Sequence, residues 1–504
     1  MKKQLLFYVF IMPFLMFSQD YETYGNDVYD PAGVSGDYFG NTSAVSADGS
    51  TIVVASILYN GVSGTESQIG KVSVYQKTSD SWTKIGDDII GYSAGNRFGS
   101  SLDINASGDI IAVGTLYGAI NGSVSGYVRV FQNISGTWTQ LGSDFVGQSA
   151  NLSLGNAISL NADGTRIAIA ASGANVAKGE VKVYQYSTGN WTQLGSAVGG
   201  VVDNDRFGTS IDLNDTGDFL AVGAPFVDAN GTPEGQNTGQ VKVYSYTSDW
   251  NQIFVDSGSI KNDILGSNVA LSGNSGILVV SATQSLNFDP VNGAGYVKTY
   301  YLTGGTYTFY RYILGENSND RFGSSLALNQ DGLFLAVGAP FNDTFGNNLG
   351  KTYLYKRNLT SPTNWNIQPG EYDDDAEAGK GTSVGLTANG GVLFTSSNAQ
   401  DPNSVSGVVK VYADYSTLTV INNLFENELE VYPNPTSDIL YINNISKSRI
   451  ETIKVVDIMG RLCLEKQIHA LGKTAIDMSN LSNGSYLIEV LGNNSRRTFK
   501  VIKN

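Results

Sequence analysis

The side chains that proteins use most for nucleophilic, general-base and zinc chemistry are almost absent from this sequence. It contains one cysteine, Cys463, and one histidine, His469, both within the last eighty residues. The segment from Gly91 to Gly95 matches the Gly-x-Ser-x-Gly pattern of serine hydrolases. That chemistry requires a histidine partner and a strand-to-helix turn, and the body of the chain has no histidine. We expect Cys463, between two leucines, to pack as a small hydrophobic residue.

Carboxylates, in contrast, are plentiful. The chain has 46 Asp plus Glu against 31 Lys plus Arg, for a formal net charge of −15. An acidic protein is a poor partner for nucleic acid or for an anionic membrane, because phosphate binding needs a basic surface. A carbohydrate-active enzyme that works with two carboxylates is the enzymatic alternative. The densest acidic cluster, residues 373–375, is expected to be a solvated loop.

The elements that would position such residues form a repeat. A Phe-Gly or Leu-Gly pair recurs every 53 to 59 residues, with a degenerate seventh copy, at Phe39-Gly40, Phe98-Gly99, Leu154-Gly155, Phe207-Gly208, Leu265-Gly266, Phe322-Gly323 and Lys380-Gly381. The second copy predicts four strands, at residues 100–105, 109–116, 127–133 and 138–145, from its alternation of apolar and polar residues. Seven such repeats in an all-β chain predict a seven-bladed β-propeller.

One aromatic residue marks the fourth strand of most repeats. All five tryptophans fall at this position, and Tyr307 takes it in the fifth copy, so we expect these rings to pack between neighbouring repeats. The last repeat lacks a fourth strand, whereas residues 21–27 match residues 82–88 in spacing. We therefore expect the first strand of the mature chain to complete the seventh blade and close the ring.

In a propeller, the connections between strands two and three and from strand four to the next blade lie on one face. Here these connections are long and varied, as at residues 57–70, 226–240, 284–295 and 341–350. Variable loops on a rigid scaffold are where binding residues tend to lie. The candidate ligand-binding residues on this face are acidic and would attract a cationic group or a metal-bridged ligand: Asp203, Asp205, Asp228, Asp320 and Asp343. In the alternative interpretation they cap turns or pair with neighbouring arginines.

The repeats resemble the FG-GAP family, which is related to the propeller of integrin α chains. Both halves of the family signature are present where Phe207-Gly208 precedes residues 221–225 and where Phe322-Gly323 precedes residues 336–340. Calcium-binding members carry several acidic or amide oxygens in the turn between the first two strands. The nearest match here is the turn with Asp212, Asn214 and Asp218. Calcium needs six to eight oxygen ligands, so this turn would need further ligands, and we expect no cofactor.

Both ends of the chain carry targeting signals. Residues 1–18 combine two lysines with an apolar run and predict a signal peptide. The propeller is expected over residues 19–422, a linker over 423–430, and a small Ig-like β-sandwich over 431–504. This last segment resembles the type A sorting domain of type IX secretion, through the motif residues Tyr432, Pro433, Asn434, Pro435, Asp457, Gly460, Arg461, Gly484 and Tyr486.

The resemblance implies export to the periplasm, passage across the outer membrane by the type IX machinery, and release or attachment at the cell surface. No further segment predicts a transmembrane span. We therefore expect a secreted or surface-attached binding protein with adhesive character, whose extracellular ligand is a glycan or a protein. The alternatives are the carboxylate-based enzyme and a purely structural surface protein.

Overall fold

The structure is a computed structural model. It describes residues 21–504 apart from 32, 35, 62–66, 79–80, 116, 121–122, 229–235, 284–292, 345, 347, 359–363, 371, 373–377, 399–406, 415–428, 445–449, 458–461, 471 and 493–494. The predicted signal peptide, the acidic cluster at 373–375 and most of the predicted linker lie outside the described residues. The chain divides into two compact units, the first of which ends at Asp414.

The described part of the first unit contains seven antiparallel sheets, numbered here in chain order. Sheet 1 contains Phe39–Val45, Thr51–Ser56, Lys71–Thr78 and Ser81–Lys84. Sheet 2 contains Ser101–Ile104, Ile110–Thr115, Tyr127–Ile134 and Thr137–Gln140. Sheet 3 contains Leu154–Leu160, Arg166–Ala171, Glu180–Ser187 and Asn190–Gln193. Sheet 4 contains Ser210–Leu213, Phe219–Ala224, Gln240–Tyr246 and Trp250–Ser257. Sheet 5 contains Leu265–Leu271, Ile277–Ala282, Tyr296–Thr303 and Thr306–Leu314. Sheet 6 contains Ser325–Leu328, Phe334–Ala339, Lys351–Arg357 and Trp365–Ile367. Sheet 7 contains Ser383–Leu386, Val392–Ser397, Val408–Ala413 and the N-terminal strand Glu22–Thr23.

A few short elements accompany these sheets. The two-residue strands Ile89–Ile90, Phe145–Val146 and Val198–Gly199 pair with the third strands of sheets 1, 2 and 3. Ala119–Ile120 and Ser123–Val124 form a small hairpin, and Ala174–Ala177 forms a single turn in which Asn175 and Val176 have positive φ. Among the residues that the structure describes, none forms a helix long and apolar enough to cross a membrane. The first unit is thus an all-β propeller.

The N-terminal strand completes sheet 7, as expected from the spacing. Glu22 pairs with Ala413 and Thr23 with Tyr412, both on the third strand of that sheet. Tyr21 is buried at 1% exposure, and its hydroxyl donates to the Gly390 carbonyl. The first and last segments of the propeller therefore close the ring through non-covalent contacts.

The turn between the first two strands has the same chemistry in every sheet. In sheet 4, Asn214 Oδ1 accepts from the Phe219 N–H at 2.9 Å, which closes the turn from inside. Equivalent side chains accept the corresponding N–H in all seven sheets: Ser46, Asn105, Asn161, Asn214, Ser272, Asn329 and Thr387. The next residues are joined by backbone hydrogen bonds into a closed ring that passes through Ala47, Ala106, Ala162, Asp215, Gly273-Asn274, Gln330 and Ala388.

The Phe-Gly pairs and the tryptophans hold neighbouring sheets together. Gly208 has φ +89°, and a Cβ there would lie 3.0 Å from Ala170 Cβ of sheet 3. Its carbonyl accepts from Asn156 at 2.8 Å. Trp250 donates its indole N–H to Leu194 O of sheet 3 at 2.9 Å and covers Gly195. The expectation that the tryptophans pack between repeats is met by this contact.

The same glycine contact recurs around the ring. In every sheet, a polar side chain donates to the glycine carbonyl of the next sheet. The donor and acceptor residues are Thr42 and Gly99, Ser101 and Gly155, Asn156 and Gly208, Ser210 and Gly266, Asn268 and Gly323, Ser325 and Gly381, and Ser396 and Gly40. Glycine suits each site because its φ is positive and a Cβ there would meet atoms of the preceding sheet, such as Ala55 Cβ at 2.6 Å from the Cβ position of Gly99.

The second unit is a small two-sheet β fold. One sheet contains Leu429–Tyr432, Ile439–Asn444 and Gly472–Asp477, and the other contains Leu462–Ala470, Ile450–Asp457, Gly484–Gly492 and Ser495–Lys503. Its core is built from aliphatic residues of both sheets, among them Ile442, Ile453 and Ile488, each fully buried. The first strand begins inside the predicted linker. Cys463 is exposed, so the expectation that it packs as a hydrophobic residue was wrong; its strand turns this side chain outward.

Candidate functional site

The candidate site is the face of the propeller formed by the connections between strands two and three and from strand four to the next sheet, which we call the loop face. Consecutive strands in each sheet are antiparallel, so these two kinds of connection emerge at the same end of every sheet. The structure places all five predicted aspartates in such connections: Asp203, Asp205, Asp228, Asp320 and Asp343.

Two of these aspartates face inward. Asp205 and Asp320 are 7% and 1% exposed. Asp205 Oδ2 accepts from the Val202 N–H at 3.0 Å, and Asp320 Oδ2 accepts from the Asn317 N–H at 3.2 Å. Burial is the main effect on both carboxyl groups and raises the pKa of each above its ordinary value. These two side chains cap the turn that leads into the Phe-Gly pair and offer little surface to a ligand.

The other three aspartates are more accessible. Asp203 lies 3.5 Å from Lys178 Nζ in an exposed ion pair. Asp228 Oδ1 accepts from the Asn237 N–H at 2.8 Å, and the exposed Asp343 accepts from the Asn348 N–H at 2.6 Å. Asp228 and Asp343 occupy equivalent positions in sheets 4 and 6, where each fixes the loop that follows the second strand.

The loop face also carries a feature that the sequence reading missed. An arginine directly before the Phe-Gly pair lies over an exposed aromatic ring in sheets 2, 4 and 6, and we call these contacts the Arg–aromatic pairs. They are Arg97 over Tyr117 (5.3 Å), Arg206 over Phe226 (5.4 Å) and Arg321 over Phe341 (4.5 Å). The signal was present in the sequence, since each aromatic follows the second strand at the same distance from the Phe-Gly pair. The arginines therefore stack on rings and do not pair with Asp205 or Asp320.

Exposed large apolar side chains concentrate on this face. Of seventeen in the described part of the first unit, eleven lie in its connections: Tyr29, Val34, Tyr38, Tyr92, Tyr117, Val176, Val201, Val202, Phe226, Ile260 and Phe341. The other six belong to the strands: Ile134, Val255, Phe309, Tyr312, Leu314 and Ile367. Val176 is 73% exposed and has φ +61°, a conformation that is costly for a β-branched residue.

The opposite end of the propeller contains an open cavity of about 250 Å³ that is lined by residues of all seven sheets. Asp103 and Asp212 lie on it at equivalent positions of sheets 2 and 4. Asp103 Oδ2 accepts from the Leu160 N–H and Asp212 Oδ2 from the Leu271 N–H, both at 2.7 Å. Burial raises the pKa of Asp103 to about 6 and, with a contribution from the charge of Asp103, that of Asp212 to about 7. Each carboxyl group ties its inner strand to the next sheet.

The structure does not assemble the calcium candidates into a site. Asp212 points to the cavity and bonds Ser159 and the Leu271 N–H. In the turn itself, the Asn214 amide nitrogen donates to Asp218 Oδ1 at 2.8 Å, so these two side chains satisfy each other. Across the described residues, no group of three or more acidic, histidine or cysteine side chains is arranged to hold a metal ion.

The predicted sorting motif lies at one edge of the second unit. Asn434, between Pro433 and Pro435, donates to the Lys500 carbonyl at 2.8 Å and accepts from the Ile502 N–H at 3.0 Å. Tyr432 ends the first strand and is 38% exposed. The opening motif is therefore bound to the final strand of the chain.

The other motif residues lie on the central strands of the same unit. Asp457 pairs with Tyr486 across the central strands, and Gly484 begins the strand that carries Tyr486. The Tyr486 hydroxyl donates to Ser482 O at 2.7 Å. Gly460 and Arg461 lie outside the described residues. The motif residues that the structure describes thus hold strand ends and turns in place.

Two family models match the chain. Residues 430–504 match the secretion system C-terminal sorting domain, and residues 315–355 match the FG-GAP repeat. The propeller therefore contains an FG-GAP repeat, and the C-terminal unit is a type IX sorting domain, which indicates secretion to the outer-membrane or cell surface. No curated protein sequence matches it.

Solved structures with similar folds share little sequence with the chain. They include Kuenenia stuttgartiensis hydrazine synthase, at 12% identity and TM-score 0.47, covering 76% of this chain and 99% of that one. A putative 6-phosphogluconolactonase from Bacteroides uniformis has 13% sequence identity and a TM-score of 0.47, and the match covers 68% of this chain and 86% of that one. The Pseudomonas aeruginosa periplasmic gluconolactonase PpgL has 15% sequence identity and a TM-score of 0.44, and the match covers 65% of this chain and 85% of that one.

Proposed function

We propose that this protein is an exported binding module that contacts an extracellular ligand through the loop face. The observation that carries the proposal is the concentration of exposed large apolar side chains in the connections of that face. Soluble proteins rarely leave contiguous apolar surface exposed without a use for it. The scaffold behind these loops is rigid, because every neighbouring pair of sheets is tied by the glycine contacts described above.

An array that carries both glycans and matrix proteins tests this function. The probe is the fluorescently labelled mature chain, in its natural form and with Val202→Glu plus Ile260→Glu on the loop face. Val255→Glu plus Ile367→Glu is the matched control, because both residues are comparably exposed but belong to fourth strands. We expect saturable binding to at least one arrayed molecule, which the loop-face pair abolishes and the control pair preserves.

Three results would contradict the proposal. Loss of binding in the control variant alone would place the ligand on the outer strands. Absence of saturable binding to every arrayed molecule would favour a purely structural surface protein. Turnover of an arrayed glycan to products would instead favour the carboxylate-based enzyme.

The accessible aspartates remain candidate ligand contacts within this proposal. Replacing Asp228 and Asp343 together by alanine removes two carboxylates and releases two loops, since each accepts a backbone N–H of its own loop. We expect weaker ligand binding with little change in the stability of the propeller. A matched exchange of turn residues at the opposite end, such as Asp163→Ala, should leave binding unchanged. If only the opposite-end exchange weakens binding, the face is assigned wrongly.

A further inference from the structure

The three Arg–aromatic pairs repeat one arrangement in alternate sheets of the loop face. Tyr117, Phe226 and Phe341 are 47%, 39% and 38% exposed, so each ring keeps a large open surface beside its arginine. Each aromatic stands in the connection after the second strand, and each arginine stands at the end of the connection before the Phe-Gly pair. Both groups are therefore held at the same end of two neighbouring strands of one sheet.

The backbone holds both partners of each pair in fixed positions. Arg97, Arg206 and Arg321 have φ of 52°, 49° and 52°, a region that glycine adopts without strain. Gly379 occupies this position in sheet 7, with φ +77°. Tyr38, Ser153 and Ile264 occupy it in sheets 1, 3 and 5 with φ of 56°, 52° and 50°. The fold therefore fixes the backbone at this position in every sheet without requiring arginine.

The aromatic rings are equally constrained. In sheets 4 and 6 the ring follows Ala-Pro, and the Ala224 carbonyl accepts from the Val227 N–H while the Ala339 carbonyl accepts from the Asn342 N–H. Proline at the second position of such a turn fixes the backbone before the aromatic residue. A ring presented in this way loses little conformational freedom when a ligand covers it.

The polar groups around the pairs can both donate and accept. Arg97 donates its Nε–H to Gln68 Oε1 at 2.9 Å. Arg206 and Arg321 form no ion pair with the described residues, so their guanidinium N–H groups can donate to a ligand. Asp228 and Asp343 follow their aromatic rings by two residues and add carboxylate oxygens. The guanidinium group donates two hydrogen bonds side by side, and the carboxylate accepts hydrogen bonds. Together they can bind neighbouring hydroxyl groups of a sugar ring while the C–H face of that ring packs on the aromatic side chain.

We propose that the Arg–aromatic pairs are related subsites for the sugar rings of a neutral polysaccharide, an inference that rests on the proposed function of the loop face. The net charge of −15 and the acidic groups beside two of the pairs disfavour a polyanion. Three copies of one arrangement suit a polymer of repeated units, because binding at one subsite raises the local concentration of polymer at the others.

The experiment measures retardation of the mature chain in native gels that contain soluble xylan, mannan, β-glucan or, as the anionic comparison, alginate. The variants are Tyr117→Ala, Phe226→Ala, Phe341→Ala and the triple exchange. Phe309→Ala is the control, because that ring is 43% exposed on a fourth strand. We expect retardation by at least one neutral polysaccharide, about a tenfold loss of affinity for each single exchange, no measurable binding for the triple variant, and no change for the control.

Each other outcome overturns the inference in a distinct way. Salt-sensitive retardation by alginate alone would show that the ligand is anionic. Retardation by a neutral polysaccharide that survives the triple exchange would place the subsites elsewhere. If no polysaccharide retards the chain while the protein array still shows loop-face binding, the sugar inference fails and the proposed function stands. Unchanged thermal unfolding of each variant verifies that the exposed rings were removed without loss of fold.

Discussion

Replacing Tyr21 by alanine in the mature chain tests ring closure most directly. Tyr21 is 1% exposed, contacts Tyr372 with ring centroids 6.1 Å apart, and donates its hydroxyl to the Gly390 carbonyl. The N-terminal segment has a second buried anchor at Val28, which pairs with Val409, so the loss of Tyr21 frees the end of the segment that carries Glu22 and Thr23. The edge of the third strand of that sheet is then exposed to pairing with other molecules.

The magnitude follows from the contacts. Truncating a buried aromatic side chain to alanine costs about 3–5 kcal/mol, and the hydroxyl contributes about 1 kcal/mol of that through its hydrogen bond. Tyr21→Phe should therefore lower the free energy of unfolding by about 1 kcal/mol and Tyr21→Ala by about 4 kcal/mol. Glu22→Ala is the control, because Glu22 lies on the same strand but is exposed. Removal of residues 20–28 should lower the free energy of unfolding by more than Tyr21→Ala does, since it also deletes the buried Val28.

Urea denaturation followed by tryptophan fluorescence is the appropriate measurement, since all five tryptophans lie in the first unit and the second unit stays silent. Trp82 reports closure directly, because its indole N–H donates to the Tyr24 carbonyl at 3.3 Å. Light scattering should show association of the truncated chain through the free strand edge. If Tyr21→Ala unfolds at the same urea concentration as Glu22→Ala, and the truncated chain stays monomeric, the reasoning about closure is refuted.

Three further predictions concern export, packing and pH. Deletion of residues 431–504 should leave a folded propeller in the periplasm, because the sorting domain forms a separate unit with its own core; finding normal amounts outside the cell by fractionation would contradict this. Gly208→Ala should destabilise the propeller by about 1–3 kcal/mol more than Gly189→Ala in urea denaturation, because both glycines have φ near +89° and +88° but a Cβ meets sheet 3 only at Gly208; equal losses would show that the contact contributes nothing. The pKa of Asp212, raised by burial to about 7 in the folded chain, makes the folded state hold a proton that the unfolded state releases above about pH 4. Stability should therefore fall between about pH 4 and pH 7. Because the pKa differs by about three units and each unit corresponds to about 1.4 kcal/mol, this fall should be smaller by about 4 kcal/mol in Asp212→Asn; an equal pH dependence in both proteins would argue against the shift.

The sequence was sufficient for the repeat, the strand pattern and the targeting. The Phe-Gly spacing and the alternation of apolar residues are local signals, and the second repeat has strands at Ile110–Thr115 and Tyr127–Ile134, close to the predicted 109–116 and 127–133. The C-terminal motif order likewise identified the sorting domain. Such signals are readable because strand formation and turn chemistry depend on neighbours in the chain.

Tertiary structure decided the state of each candidate side chain. Asp203 and Asp205 are two residues apart in sequence, yet one is exposed beside Lys178 and the other is buried under its own turn. The Arg–aromatic pairs join residues about twenty positions apart, and Asp103 meets its partner N–H on the next sheet. Nothing in the local sequence encodes these distances, because burial and charge depend on which sheets the ring brings together. The sequence alone determined the fold and the destination of the chain, and the packing of the ring determined which carboxylates and aromatic rings are exposed on the loop face.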